Sequence, residues 1–252
     1  WVSDRTQERI QDLIPQGGVD EASRLVLANA IYFKADWLFP FAKENTSDQP
    51  FHLLDGSQVN VPTMTYHKAQ TLPYLAGDGY QAVELPYVGE GVSMLVVVPD
   101  EGKLEDVEND FTHSTLQQIQ KAAEPTRMEL FLPKFEFTVE YQLGDALSDM
   151  GMPDAFCSGS PDFSGMVDSS NKTGLEPIPL CIGGIFHKAF VKVDEKGTEA
   201  AAASAVVMEA MAIMGDQPVV LKVDRPFLFL ILDKTNGSIL FMGRIDNPKT
   251  DK

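Results

Sequence analysis

Four histidines are the side chains of this 252-residue sequence best suited to acid–base or metal chemistry: His52, His67, His113 and His187. None lies in an H-E-x-x-H spacing, which would place two zinc ligands and a general base on one helix face. The serine-containing stretch GSPDFSG, residues 159–165, lacks the G-x-S-x-G spacing of a hydrolase nucleophile. No glycine-rich phosphate-binding motif occurs. The sequence therefore predicts that the protein is not an enzyme, and it indicates no metal and no cofactor.

His187 is the only histidine in a buried-looking setting, the apolar stretch GGIFHKAFVKV at residues 183–193. Carboxylate pairs are plentiful in this acidic chain, so choosing two of them as a general acid and a general base would be arbitrary. A buried imidazole normally has a hydrogen-bond partner. The sequence favours a hydrogen-bonded core histidine over a catalyst.

Composition limits the possible partners. The chain has 20 Lys and Arg against 37 Asp and Glu, a formal net charge of -17. Such a charge favours solubility and disfavours both nucleic acid and an anionic membrane surface. No apolar run is long enough to span a bilayer, and the first residues do not form a signal peptide. Cys157 and Cys181 have no C-x-x-C spacing, so they either pair or stay free.

Most of the chain alternates short apolar runs with turn residues, which predicts a strand-rich fold. The apolar run at residues 24–33 predicts a strand buried on both faces. Asp55-Gly56 predicts a hairpin, and Pro62 favours an edge position for its second strand. An amphipathic helix is predicted at residues 2–13. Further helices are predicted at residues 104–110, 114–123 and 141–150, among strands that include a meander at residues 69–98.

The segment from Asp194 to Pro218 is unusually long for a connection between two strands. As a helix it would have apolar residues all round and no face to dock. As a flexible linker it has too little Ser and Gly. As a strand, the segment would have one face without charge, because alternate residues lie on the same face and one alternating set, the uncharged parity, has no charged side chain. Such a face fits a segment that is a loop in one state and a buried strand in another. That parity comprises Thr198, Ala200, Ala202, Ser204, Val206, Met208 and Ala210.

Several motifs of this chain resemble the serpin family. DEKGTEAAAASA, residues 194–205, is similar to the serpin proximal hinge, and residues 221–248, LKVDRPFLFLILDKTNGSILFMGRIDNP, are similar to the C-terminal signature. NAIYFKADWLFPF, LPKFEF and PDFSGM agree with other family segments in the same order. The resemblance implies an α+β fold with three β-sheets, surrounding helices and an exposed reactive-centre loop at about residues 195–218. It also implies one serpin domain over residues 1–252, of which the N-terminal helices and strands are missing.

The resemblance further implies a function. A serpin is a suicide inhibitor of serine proteases: the protease cleaves the loop and is acylated, and the loop then inserts as a strand into the main sheet. The matching hinge residues are Glu195, Lys196, Gly197, Thr198, Glu199, Ala200, Ala201, Ala202 and Ala203. Counting fourteen residues from Gly197 places the scissile bond at Met211-Ala212. Near the top of that sheet, the family match includes Trp37 and an ion pair of Glu195 with Lys134. The polar cluster at which the sheet opens to admit the loop is matched by Asn29 and His187.

Methionine at the scissile position favours a protease with an apolar specificity pocket, such as an elastase-, chymotrypsin- or subtilisin-like enzyme. The resemblance implies a monomer and favours a secreted or extracytoplasmic location. The alternative is a non-inhibitory serpin-fold protein that serves as a carrier, chaperone or storage protein. The small residues of GTEAAAA favour the inhibitor, because non-inhibitory relatives often have bulky or charged residues there.

Overall fold

The computed structural model describes residues 1–21, 23–166, 180–198 and 217–249. The α-helices are α1 (Val2–Arg5), α2 (Leu104–Asn109), α3 (His113–Ala122) and α4 (Gly144–Asp149). Short 3-10 helices lie at Lys43–Asn45, Pro153–Ala155 and Ser164–Met166. The strands are β1 (Leu25–Tyr32), β2 (Ala35–Asp36), β3 (Ser47–His52), β4 (Gln58–Thr65), β5 (Gln70–Ala76), β6 (Tyr80–Pro86), β7 (Val92–Pro99), β8 (Glu124–Pro133), β9 (Phe135–Gln142), β10 (Ile182–Val193), β11 (Gly197–Thr198), β12 (Val219–Lys222), β13 (Phe227–Asp233) and β14 (Ile239–Ile245). In the part of the chain that is described, no helix is long and apolar enough to cross a bilayer.

The chain divides into two compact units. One comprises Trp1–Tyr32 with Phe137–Val191, and the other comprises Phe33–Glu136 with Lys192–Lys252. In the first unit, β1 runs parallel to β10, and β9 pairs with β10 as well. A disulfide joins Cys157 to Cys181, which settles the pairing that the sequence left open.

The second unit is built on a nine-stranded sheet. Its strand order is β14-β13-β7-β6-β5-β8-β4-β3, and β12 pairs with β8 in parallel. The predicted meander is present as β5, β6 and β7. Hydrogen bonding thus groups the described strands into two sheets rather than the expected three. The ten-residue β8 pairs with β4, β5 and β12 along different parts of its length and so joins these strands into one sheet.

Helix α3 covers one face of this sheet. Thr112 caps it with a capping box, in which its side chain accepts a hydrogen bond from the Thr115 amide. Leu116 and Ile119, four-fifths of a turn apart on one face, are both buried. They pack in a cluster with apolar side chains of β6, β7 and β13, namely Ala82, Leu95, Val97, Leu228, Leu230 and Leu232. This packing includes β6, the strand that leads directly to Tyr87 of the site described below.

Some local predictions differ from the structure. The helix predicted at residues 2–13 ends at Arg5, because Gln7 and Glu8 have positive φ angles of 50° and 62° that break helical geometry. Pro62 does not lie in an edge strand: β4 pairs with β3 and β8, and β3 is the edge. The strand at residues 24–33 is present as β1, but residues 27–29 are exposed, so the strand is not buried on both faces as predicted.

Candidate functional site

The first four hinge residues form a tight turn and a short strand. The turn follows β10, and the Asp194 amide donates to the Gly197 carbonyl at 2.9 Å. The Asp194 carboxylate accepts from the Lys196 amide at 3.0 Å, which is a local Asx-type contact that favours a turn. Strand β11 then runs antiparallel to both neighbours, with Thr198 opposite Val193 of β10 and Ala35 of β2. The hinge therefore begins inside the sheet.

Glu195 lies in the turn and is almost completely buried, with 4% of its surface exposed. Its carboxylate accepts from the Lys134 ammonium at 2.8 Å and from the Thr46 hydroxyl at 2.9 Å. Its carbonyl accepts from the Phe41 amide at 2.8 Å. Burial raises the pKa of the carboxyl, but the hydrogen bonds and the Lys134 charge outweigh burial and hold the pKa below its usual value. Glu195 is therefore an ionised anchor for the turn.

Trp37 is held against the same turn. Its indole N–H donates to the Asp194 carbonyl at 3.0 Å, and its backbone amide donates to the Lys196 carbonyl at 2.8 Å. The indole stacks on the Tyr87 ring at 4.4 Å between centroids, with an interplanar angle of 10°. Trp37 is 2% exposed, so both polar contacts are shielded from water.

Thr198 has no exposed surface in the structure. Its hydroxyl lies 2.6 Å from the Tyr87 hydroxyl, so the first residue of the uncharged parity already points beneath the strand. The sequence analysis predicted that the Thr198 side chain would lie beneath the strand only after loop cleavage and insertion. The structure differs because Thr198 already pairs with Val193 of β10 and with Ala35 of β2, while Gly197 pairs with Asp36 of β2.

Gly197 makes the close approach of these strands possible. A Cβ at this position would collide with the Ala35 carbonyl oxygen and would lie 2.7 Å from the Asp36 Cα. Both obstacles are backbone atoms of β2, which cannot rotate away as a side chain can. Only glycine fits between β2 and the turn in this arrangement.

Asn29 and His187 lie in the other compact unit, where they are register partners in the parallel pair of β1 and β10. Asn29 is exposed, and His187 is half-buried and stacked on Tyr141 at 6.5 Å between ring centroids. The buried Nδ1 of His187 has no hydrogen-bond partner among the described residues. The sequence predicted a hydrogen-bonded core histidine, but among the described residues Nδ1 of His187 makes no such hydrogen bond.

The remaining predicted site residues lie outside the described part of the chain. These are Glu199, Ala200, Ala201, Ala202 and Ala203 of the hinge and both residues of the scissile bond, Met211 and Ala212. No group of three or more His, Cys, Asp or Glu side chains within the described ranges is placed to hold a metal ion.

Two residues of the site were missed from the sequence, Tyr87 and Thr46. They contact hinge residues 111 and 149 positions away, and contacts over such separations have no periodic signature. A signal for Tyr87 was nevertheless present, because an aromatic residue with a polar tip directly after an apolar strand commonly buries its ring and seeks a partner for its hydroxyl.

Comparison with known proteins adds a family context. A family profile described as Serpin (serine protease inhibitor) matches residues 1–248. A serpin-like protein of Thermococcus kodakarensis is 42% identical over 250 residues, covering 99% of this chain and 55% of that protein. The leukocyte elastase inhibitor of Xenopus laevis is 38% identical over 253 residues, covering 98% of this chain and 64% of that protein.

A solved structure is also similar. Human thyroxine-binding globulin in complex with thyroxine superposes with a TM-score of 0.83 at 29% identity, covering 99% of this chain and 62% of that chain. The chain therefore spans between 55% and 64% of the length of these relatives.

Proposed function

Because this chain belongs to the serpin family and has its fold, as the sequence motifs predicted, we propose that the full-length protein inhibits serine proteases as a suicide substrate. In this proposal the protein is not an enzyme. Residues 195–218 are the reactive-centre loop of a single domain, and cleavage of the loop is followed by its insertion into the sheet that contains β10. Two relatives support an inhibitory role by their names, the leukocyte elastase inhibitor and antithrombin-III of the mouse.

The observation that carries the proposal is the position of β11. Gly197 and Thr198 form a strand between β10 and β2, so the sheet accepts hinge backbone at this point. Continuing the same strand would place Ala200 and Ala202 beneath it with Thr198, because side chains alternate with a period of two. Each further residue would add backbone hydrogen bonds and would bury a small uncharged side chain, both of which favour insertion.

The proposed scissile bond is Met211-Ala212, and the proposed target has an apolar specificity pocket. An unbranched methionine fits such a pocket, whereas a pocket with a buried carboxylate selects Arg or Lys. We propose elastase-, chymotrypsin- and subtilisin-like enzymes as target classes, and a monomer as the inhibitor.

A non-inhibitory carrier is the second candidate, and the similarity to thyroxine-binding globulin favours it. Against it stands the sequence GTEAAAA at residues 197–203, which has no bulky side chain. The face of the large sheet under α3 is covered by the chain's own buried side chains, among them Leu116 and Leu230.

The test is to mix the full-length protein with elastase, chymotrypsin, subtilisin and trypsin and to search for a covalent complex that survives denaturant. At least one of the first three enzymes should form it, while trypsin should not. Mass spectrometry should then find a released C-terminal peptide that begins at Ala212. A peptide that begins at Glu209 or Met214 would contradict the proposed register, and intact protein with every enzyme would favour the carrier.

A further inference from the structure

The geometry points to Tyr87 as the positioning residue that receives Thr198 and holds the first hinge residues in the sheet of the uncleaved chain. The inference rests on the proposed function and deepens it, because it names the contact from which strand insertion starts.

The contact itself is short and dry. The two hydroxyl oxygens lie 2.6 Å apart, and the two residues are 1% and 0% exposed. Water therefore cannot replace either hydroxyl while the other stays in place. A buried hydroxyl without a partner is costly, whereas a buried pair of hydroxyls satisfies both groups. The bond thus favours the docked position of Thr198 over any position outside the sheet.

The Tyr87 ring is fixed from several directions. Trp37 stacks on one face, and Phe33 makes an edge contact at 5.1 Å between centroids. The Tyr87 amide donates to the Val92 carbonyl at 3.1 Å, and this bond holds its backbone beside β7. Tyr87 therefore cannot follow Thr198 if the hinge leaves, and the hydroxyl stays at one point as a preorganised receptor.

The Tyr87 hydroxyl also keeps its proton. Burial raises the pKa of the phenol far above its usual value and outweighs the hydrogen bond to Thr198, which lowers the pKa. A neutral phenol both donates and accepts, so it matches a threonine hydroxyl in either direction. The receptor consequently selects a hydroxyl at position 198. Valine has the same shape as threonine but would leave Tyr87 without a partner.

Docking matters for the fate of a trapped protease. After cleavage, strand insertion competes with hydrolysis of the acyl-enzyme. A hinge whose third and fourth residues, Gly197 and Thr198, already form a strand between β10 and β2 extends that strand, whereas a released hinge must first form one. Forming a first contact costs conformational entropy before further contacts are gained. Weakening the Tyr87–Thr198 bond should therefore shift the outcome from trapping toward turnover.

The experiment is a double-mutant cycle in the full-length protein with Tyr87→Phe, Thr198→Val and the double variant. Amide hydrogen exchange of the peptide that covers residues 194–198 reports release of the hinge without any protease. Each single variant should exchange about tenfold faster, because each leaves one buried hydroxyl unpaired. The double variant should return close to the parent, since two apolar groups of the same shape need no partner. Tyr74→Phe removes a comparable tyrosine contact, to Gln81, away from the hinge and should change nothing there.

The same variants are then compared with a protease that the parent traps. For each single variant, more inhibitor molecules should be cleaved for every protease molecule trapped. For the double variant, this ratio should return close to that of the parent. Single variants that exchange like the parent, or a double variant whose effect is the sum of the two singles, would overturn the inference. If no protease is trapped while the exchange cycle shows coupling, the inhibitory function is wrong and the docking contact stands.

Discussion

The carboxylate of Glu195 lies 2.8 Å from the ammonium nitrogen of Lys134, although 61 residues separate them in the sequence. Lys134 is the single residue between β8 and β9, and Glu195 is in the turn that leads into β11. The pair therefore ties the start of the hinge to the junction of two strands. Since Glu195 is buried and Lys134 is one-third exposed, breaking the pair should cost more free energy at the carboxylate, which would be left buried without its counter-ion, than at the ammonium.

Acid should weaken this anchor. The folded-state pKa of Glu195 is lowered from 4.5, so its ionisation stabilises the fold above that value, and the contribution is lost as the pH falls through the lower folded pKa. Thermal unfolding of the parent and of Glu195→Gln should therefore differ most near neutral pH and converge only after the pH has fallen below 4.5 and through the lowered folded pKa. Curves that stay parallel down to pH 2 would contradict this assignment.

Under the proposed function, Thr198→Arg should shift the outcome from trapping of the protease to its release after cleavage. The side chain would place a guanidinium against Tyr87, and an unpaired buried charge costs about 3–5 kcal/mol. A rise of about 2.8 kcal/mol in the insertion barrier already slows that step roughly a hundredfold. The expected result is cleaved protein, active protease and little covalent complex on a denaturing gel.

The matched control is Glu199→Arg. Glu199 lies outside the described residues, and strand alternation predicts that it faces away from Thr198. This variant should lose much less inhibition. If both variants trap the protease as well as the parent does, insertion beyond Thr198 is not required for function.

Gly197→Ala should force β11 away from β2. The added methyl group collides with the Ala35 carbonyl, and no side-chain rotation relieves the contact. Overpacking of this kind typically costs about 1–3 kcal/mol. Amide exchange of the peptide around Gly197 should accelerate. Gly91→Ala is the control, because the nearest atom to its added Cβ is 4.0 Å away, and it should leave that exchange unchanged.

Reduction of the disulfide should lower thermal stability. The bond closes a loop between Cys157 and Cys181, which are 24 positions apart, and loop-closure entropy for such a length corresponds to about 3 kcal/mol. For a chain of this size the melting temperature should fall by about 6–12 °C. The double variant Cys157→Ser, Cys181→Ser should melt at the reduced value and should not respond to reductant. Equal melting temperatures with and without reductant would show that the cross-link contributes nothing.

Cleavage in the loop should raise the melting temperature of the full-length protein. Nicking a chain normally adds entropy to it and destabilises the fold. Here the residues that follow β11, from 199 to 211, would gain backbone hydrogen bonds and bury an uncharged face. The measurement is calorimetry before and after cleavage. A cleaved form that melts at or below the intact form would exclude loop insertion.

The elements that local patterns define were predictable. Asp55-Gly56 predicted the hairpin of β3 and β4, and two apolar runs bounded by glycine-containing turns predicted β6 and β7. The length of α1 was not predictable, because its end depends on the backbone at Gln7 and Glu8 and not on apolar periodicity. Family motifs, and not periodicity, led to the hinge, to Trp37 and to the pair of Glu195 with Lys134.

The contacts that complete the site could not be read from the sequence. Thr46 and Tyr87 reach the hinge because two distant strands pair with their neighbours in one particular register. A shift of that register by a single residue would turn every side chain to the other face. The burial of Thr198 in the uncleaved chain likewise depends on the close approach of β2 and β11.

The stacking of Trp37 on Tyr87 gives this chain a spectroscopic property. The sequence has two tryptophans, and they differ sharply in exposure, because Trp37 is 2% exposed and Trp1 is 84% exposed. A soluble quencher should therefore silence the emission of Trp1 and leave that of Trp37. The indole of Trp37 donates to the carbonyl of Asp194 and lies parallel to a phenol that bonds to Thr198. The unquenched fluorescence and the near-ultraviolet dichroism of this pair should change when the turn moves, so the hinge has a label-free optical reporter within its own structure.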